Sequence, residues 1–146
     1  MKNFKFSMQS ILDVNMTLRD VAMSEVSIAT QRLDHEYQEL NRVVALMDKE
    51  MDQSRLPSAD FASYILQREK FLKRLRDLKL NHERNIDAAK RMLDKAQNKL
   101  KTAFIEVRKM EKAAENQKEK WDYEFKREEQ GKSDEMGTNR HFFPGA

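Results

Sequence analysis

A heptad repeat in the second half of the chain constrains its fold more than any other feature. From Ile86 to Trp121 an apolar or small residue recurs at nearly every alternating step of three and four, and Ala89, Ala96 and Ala103 lie seven apart. Such a repeat is typical of a helix that packs against another helix along one seam. Alanines that alternate with larger residues let an antiparallel helix approach closely. The repeat therefore predicts a coiled coil.

The same periodicity can be followed over most of the chain. In the second half the predicted seam is Leu72, Leu75, Lys79, His82, Ile86, Ala89, Leu93, Ala96, Leu100, Ala103, Val107, Met110, Ala114, Gln117 and Trp121. In the first half a strict alternation of four and three predicts the seam Leu33, Tyr37, Leu40, Val44, Met47 and Met51. The chain therefore supplies two helices that can cover each other.

Breaks in these patterns are rare, because the 146 residues include only 3 glycines and 2 prolines. Sandwiches, barrels and doubly wound sheets need many turns, so the class is all-α. Pro57 disfavours helix before it and predicts the one hairpin turn. Gly131 is a natural helix stop. The predicted fold is an elongated antiparallel two-helix coiled-coil hairpin whose second helix is longer than the first.

The predicted boundaries follow from these signals. A single coiled-coil domain covers residues 1–131, and a disordered tail covers residues 132–146. Within the domain we expect helix 1 at 8–52, the turn at 53–59 and helix 2 at 60–130.

The two predicted helices differ in length. At ~1.5 Å per residue, helix 1 spans roughly 65 to 70 Å and helix 2 nearly 110 Å. A fold point near residue 55 or 56 places Ile11 roughly opposite Leu100. An apolar stripe beyond this level is then expected to have no intrachain partner and to bind another molecule. The stripe consists of Val107, Met110, Ala114 and Trp121.

A second apolar stripe lies near the predicted turn. Its residues are Leu40, Val43 and Met47 on helix 1 and Phe71, Leu75, Leu78 and His82 on helix 2. Two interpretations are open. Val43 and Phe71 either thicken the two-helix core, or they form part of an exposed surface for a partner, in which Met47 is adaptable.

No pattern indicates catalysis, a cofactor or a metal. The chain has no cysteine, and His35, His82 and His141 lie far apart without the spacing of a metal site. The segment "GKS" at 131–133 lacks the earlier glycine and the strand of a phosphate-binding loop.

Charge and hydropathy also bear on the partner classes. The 28 basic and 25 acidic residues leave a net charge of +3, and intermixed signs are typical of solvated helices, so the charge does not imply a nucleic-acid partner and we expect none. No apolar run approaches the ~20 residues of a membrane helix, so we expect no membrane insertion. The absence of cysteine fits a cytoplasmic protein.

Several segments carry a family resemblance. The opening "FKFSMQSILDV", the pattern "EKAAENQKEKWDYEFKREEQ" and the following "SDEMGTNR", with Asp134, Glu135 and Arg140, resemble the FliJ family of bacterial flagellar export proteins. The resemblance covers nearly the whole chain and assigns no role to those three residues.

The resemblance implies a non-enzymatic, cytoplasmic stalk of the type III export apparatus, associated peripherally with the cytoplasmic face of the cell membrane at the flagellar basal body. Its implied partners are the hexameric export ATPase ring, the cytoplasmic domain of the export-gate membrane protein, and export chaperones that it helps to recycle. The ring would take the stripe Val107, Met110, Ala114 and Trp121. The gate would take Leu40, Val43, Met47, Phe71, Leu75, Leu78 and His82.

Other functions stay open at this point. The corresponding stalk of a virulence secretion system shares the architecture. A structural spacer or homo-oligomeric coiled coil, and a nucleic-acid-binding arm that uses the lysine-rich face, are the alternatives from other classes.

Overall fold

The computed structural model describes residues 3–52 and 61–142, with side chains up to residue 138. Helix α1 spans Gln9–Asp52 and helix α2 spans Phe61–Phe142. The two helices pack against each other, α2 is the longer, and the described part of the chain contains no strand. The predicted fold class, an all-α antiparallel pair of unequal helices, is confirmed. The predicted turn at 53–59 lies outside the described residues.

Helix α2 runs beyond the predicted stop at residue 130. It passes through Gly131 and Gly137 and ends at Phe142, so residues 132–142 are helical rather than disordered. Neither glycine adopts the left-handed conformation that ends a helix. A glycine within a helix costs only about 1 kcal/mol relative to alanine, and the good helix formers on both sides of Gly131 offset this cost.

The chain divides into two compact units. Unit 1 consists of Met1–Arg19 and Thr102–Ala146, and unit 2 consists of Asp20–Lys101. Each unit therefore contains part of both helices.

The core of unit 2 follows the seam predicted for α2. Its buried side chains are Ala22, Val43, Leu72, Leu75, Ile86, Ala89 and Ala96. Every residue of the predicted α2 seam, in both units, is buried or half-buried. This half of the coiled-coil prediction is confirmed.

The seam predicted for α1 is partly wrong. Tyr37 and Met51 are exposed, whereas Val43 is buried and Glu36 and Glu50 are half-buried. Two seam positions of α1 are thus occupied by carboxylates, which a search for apolar periodicity passes over. Each carboxylate has a partner on α2, and this pairing makes a charged residue tolerable at a partly buried position.

The predicted alignment of the two helices is also wrong. The fold point assumed near residue 55 or 56 puts residue 12 opposite Lys99, but Lys99 contacts Glu25 at 3.1 Å. Side chains lean toward the N-terminus of their own helix. In an antiparallel pair this displaces the contacting residue of α2 away from the turn, in the direction observed.

Unit 1 contains a small core at the N-terminal end of α1. Phe6, Leu12 and Val107 are buried together, and partly buried neighbours pack around them: Phe4, Met16, Met110, Ala113 and Ala114. The two aromatic residues of this core, Phe4 and Phe6, precede the helix. The backbone amide of Gln9 donates to the carbonyl of Phe6 at 3.2 Å, and that of Leu12 donates to Met8 at 3.0 Å.

Candidate functional site

The stripe expected to bind an export ATPase ring lies in unit 1 and is covered by the chain's own N-terminus. Val107 is only 3% exposed and packs with Phe6 and Leu12. Met110 and Ala114 are half-buried against the same cluster. Val107 is therefore a core residue, and only the outer edges of its neighbours are accessible.

Aromatic contacts extend the packing of the N-terminus on α2 as far as Trp121. The rings of Phe4 and Trp121 lie 6.0 Å apart at 56°, and Trp121 stacks on Phe125 at 5.3 Å and 14°. Between the Val107 cluster and Trp121, the Nε2 of Gln117 donates to the Ser7 hydroxyl oxygen at 3.0 Å. Apolar packing and a hydrogen bond together fix the N-terminal segment, residues 3–8, on α2.

The expectation that Val107, Met110, Ala114 and Trp121 lack an intrachain partner is therefore wrong. The reason is the alignment of the helices, since the predicted fold point placed Ile11 near Leu100 and left everything past about residue 107 without a covering arm. In the structure Leu12 reaches the Val107 cluster, and the residues before α1 extend the cover to Trp121.

The part of α2 that does extend past this cover is charged rather than apolar. All described side chains from 126 to 138 are exposed. Seven of them are charged: Lys126, Arg127, Glu128, Glu129, Lys132, Asp134 and Glu135. The family-motif residues Asp134 and Glu135 are thus exposed on a helix, where the Thr138 hydroxyl donates to the Asp134 carbonyl at 2.9 Å. Arg140 also lies within α2, and its side chain is beyond those described.

The stripe expected to bind the export gate lies in unit 2 and divides into three groups by burial. Val43 and Leu75 are 2% and 4% exposed, so they belong to the core. Phe71 and Leu78 are 40% and 45% exposed on α2. Leu40, Met47 and His82 are half-buried. The core interpretation therefore holds for Val43, while Phe71 and Leu78 are available to a partner.

His82 takes part in a contact between the helices. Its Nδ1 lies 2.8 Å from Oε2 of Glu36, and because a carboxylate can only accept, the ring nitrogen donates. This hydrogen bond is the main reason why the pKa of Glu36 lies below its ordinary value. Burial opposes it by raising the pKa, and a hydrogen bond from Asn85 makes a smaller contribution that lowers the pKa. His82 therefore joins α2 to α1 through this hydrogen bond.

An ion pair between the helices, Arg68 with Glu50, lies closer to the C-terminus of α1 and the N-terminus of α2. Arg68 Nη2 donates to the Glu50 carbonyl at 3.3 Å, and Arg68 Nε lies 3.8 Å from the Glu50 carboxylate. At that distance the Nε makes no hydrogen bond, and it is buried without a partner. The attraction between the two side chains is thus mainly electrostatic.

Among the exposed apolar residues of unit 2 that sequence reasoning missed are Ile28 and Met92. They are 57% and 53% exposed and line one groove between the helices. Neither fits the seam pattern, and both were therefore passed over. A search for large apolar residues off the seam would have found them.

Over the residues that the structure describes, no helix has an apolar stretch long enough to cross a bilayer. The same residues contain no group of three or more metal-binding side chains.

Two helices packed along a heptad seam, with charged pairs within the seam and apolar residues exposed beside it, define a two-helix coiled-coil protein. The family model described as Flagellar FliJ protein matches residues 4–144. The chain belongs to the FliJ family and is a flagellar export-associated protein. Comparisons with curated proteins and with solved structures gave no match.

Proposed function

We propose that this protein is a non-enzymatic stalk of the flagellar type III export apparatus. In this proposal it docks in the hexameric export ATPase, promotes its assembly and activity, links it to the cytoplasmic domain of the export gate, and helps to recycle export chaperones. It would act at the cytoplasmic face of the membrane at the basal body. The observation that carries the proposal is the family match over residues 4–144.

Unit 1 is the proposed contact with the ATPase ring. The accessible edges of Met110, Ala114 and Trp121 would touch the ring, with Val107 holding them in place from the core. Phe4 lies against Trp121, so the N-terminal segment would belong to the same contact surface. Removal of the remaining apolar surface of these half-buried groups from water would contribute favourably to the free energy of binding.

Unit 2 supplies the proposed contact with the export gate. Phe71 and Leu78 are exposed apolar residues seven positions apart, so they lie on one face of α2. Leu40, Val43, Met47, Leu75 and His82 would support that face from the helix pair.

The proposed mechanism is coupling rather than catalysis. A helical pair held asymmetrically inside a ring contacts some subunit interfaces more than others. Those interfaces are then favoured by the difference in contact free energy, which promotes assembly and turnover by the ring itself.

The ring contact is tested by measuring stimulation of the export ATPase from the same flagellar system. We expect Trp121→Ala to reduce stimulation. The matched control is Tyr123→Ala, because Tyr123 is on the same helix and 69% exposed. Circular dichroism confirms that both variants stay helical. Equal stimulation by both variants and the wild type would place the ring contact elsewhere.

The gate contact is tested separately with the purified cytoplasmic domain of the export gate. We expect Phe71→Ala with Leu78→Ala to weaken binding and to leave ATPase stimulation intact. Leu66→Ala is the control, since Leu66 is 57% exposed on α2 outside the proposed surface. Unchanged affinity of the double variant would refute this assignment.

A further inference from the structure

Unit 2 contains an apolar groove that the proposed ring and gate contacts do not use. Its volume is ≈ 550 Å³, within the range of typical binding pockets. Ala29, Ala89 and Ala96 line it together with the larger side chains of Ile28 and Met92. The small side chains leave open space between the two helices, and the larger ones flank it.

The two flanking residues are exposed apolar side chains. Ile28 and Met92 each expose more than half of their surface, whereas Ala89 and Ala96 are buried. Arg32 is a polar neighbour of Met92, with its Nη1 4.0 Å from the Met92 sulfur. A helix placed along the groove would remove both side chains from water and insert its own side chains between them.

The charges around the groove indicate which charge the partner helix should carry. Its lining contains the cations Arg32, Lys95 and Lys99 and the single carboxylate of Glu25, a net charge of +2. Lys99 contacts both oxygens of Glu25 at 3.1 Å. Among the residues that the structure describes, Arg32 and Lys95 form no ion pair. An acidic partner would therefore meet two uncompensated cations.

We propose that this groove binds an amphipathic helix of another protein, with aliphatic residues that insert between Ile28 and Met92 and acidic residues beside them. The interaction combines burial of apolar surface with attraction to Arg32 and Lys95. This surface goes beyond the proposed docking to the ATPase and the gate.

A designed peptide provides the probe. It has three heptads, with leucine at positions a and d, glutamate at e and g and alanine elsewhere, and it carries a fluorescent label. The comparison peptide has lysine in place of glutamate. Fluorescence anisotropy during titration with the full chain measures both affinities. We expect the glutamate peptide to bind, and the lysine peptide to bind at least about tenfold more weakly.

Matched variants locate the contact. We expect Met92→Gln to weaken binding of the glutamate peptide by about tenfold, while Leu80→Gln, at a similarly exposed apolar residue outside the groove, leaves it unchanged. Lys95→Glu should also weaken binding, and Lys101→Glu, outside the groove, should have a smaller effect. Circular dichroism checks that each variant remains helical.

Three results would overturn the proposal. Absence of binding by the glutamate peptide rules out an acidic helix, and equal affinity for both peptides rules out the charge argument. Sedimentation that shows self-association of the full chain, abolished by Met92→Gln, would assign the groove to a second copy of this protein instead.

Discussion

The N-terminal segment can be released from α2 by the single substitution Phe6→Ala. Phe6 is 8% exposed, so nearly its whole side chain is removed from water. A buried phenylalanine removes roughly 150 to 200 Å² from water, and alanine retains part of this area. At ~25 cal/mol per Å², with allowance for a partly compact reference state, the loss is about 2 to 3 kcal/mol. This corresponds to roughly a 30- to 150-fold increase in the ratio of released to docked segment.

Trp121 reports on this release because it is the only tryptophan and Phe4 lies against its ring. We expect Phe6→Ala to shift the emission of Trp121 toward that of a solvated indole and to increase amide exchange at residues 9–12, while the ellipticity of the helices changes little. Met8→Ala is the matched control, because Met8 is in the same segment and 41% exposed. If both variants keep the wild-type emission and exchange, Phe6 does not hold the segment in place.

Three further predictions concern the helices themselves. The pKa of Glu36 is lowered from 4.5, chiefly by its hydrogen bond with His82. The wild type should therefore be more stable than Glu36→Gln above pH 4.5, and this advantage should be lost as the pH falls through the lowered pKa of Glu36. Melting temperatures of both proteins across this pH range test the prediction, and a difference that does not change with pH would contradict it. Ala89→Leu should cost about 1 to 3 kcal/mol in denaturant unfolding because Ala89 is buried in the seam, whereas Ala88→Leu at an exposed position should be nearly neutral; equal effects would refute close packing at Ala89. Gly131→Ala should stabilise α2 by about 0.5 to 1 kcal/mol, since nothing lies within 4 Å of the added methyl group, and slower amide exchange near residue 131 would show it; faster exchange would mean that the helix ends there.

The sequence predicted α2 well because its seam is almost wholly apolar or small. Leu75, Ala89 and Ala96 lie at multiples of seven residues, and burial in the structure follows this pattern. Helix α1 was harder, because Glu36 and Glu50 occupy seam positions and exposed Tyr37 offered a false apolar alternative. A charged residue in a seam can be recognised only together with its partner, which depends on the alignment of the two helices.

The candidate surfaces were predicted less well, for two physical reasons. Phe4 and Phe6 precede the helix, so no periodicity shows that they fold over Val107 and Trp121. Gly131 carries the ordinary signal of a helix end, but a modest local cost does not stop a long helix. Residues on the gate stripe were predicted to share a face, but periodicity alone does not separate buried Leu75 from exposed Leu78.

Two of the polar pairs between the helices have a consequence for how the protein assembles from its unfolded chain. Glu36 meets His82 and Glu50 meets Arg68, and displacement of α2 by one heptad would bring Glu36 opposite Leu75 or Ala89 instead. A carboxylate stranded there would lose its hydrogen bond, at a cost of about 1 to 3 kcal/mol or more. Repeated leucines and alanines alone tolerate such slippage, so these pairs select one pairing of the arms among several that would bury comparable apolar surface.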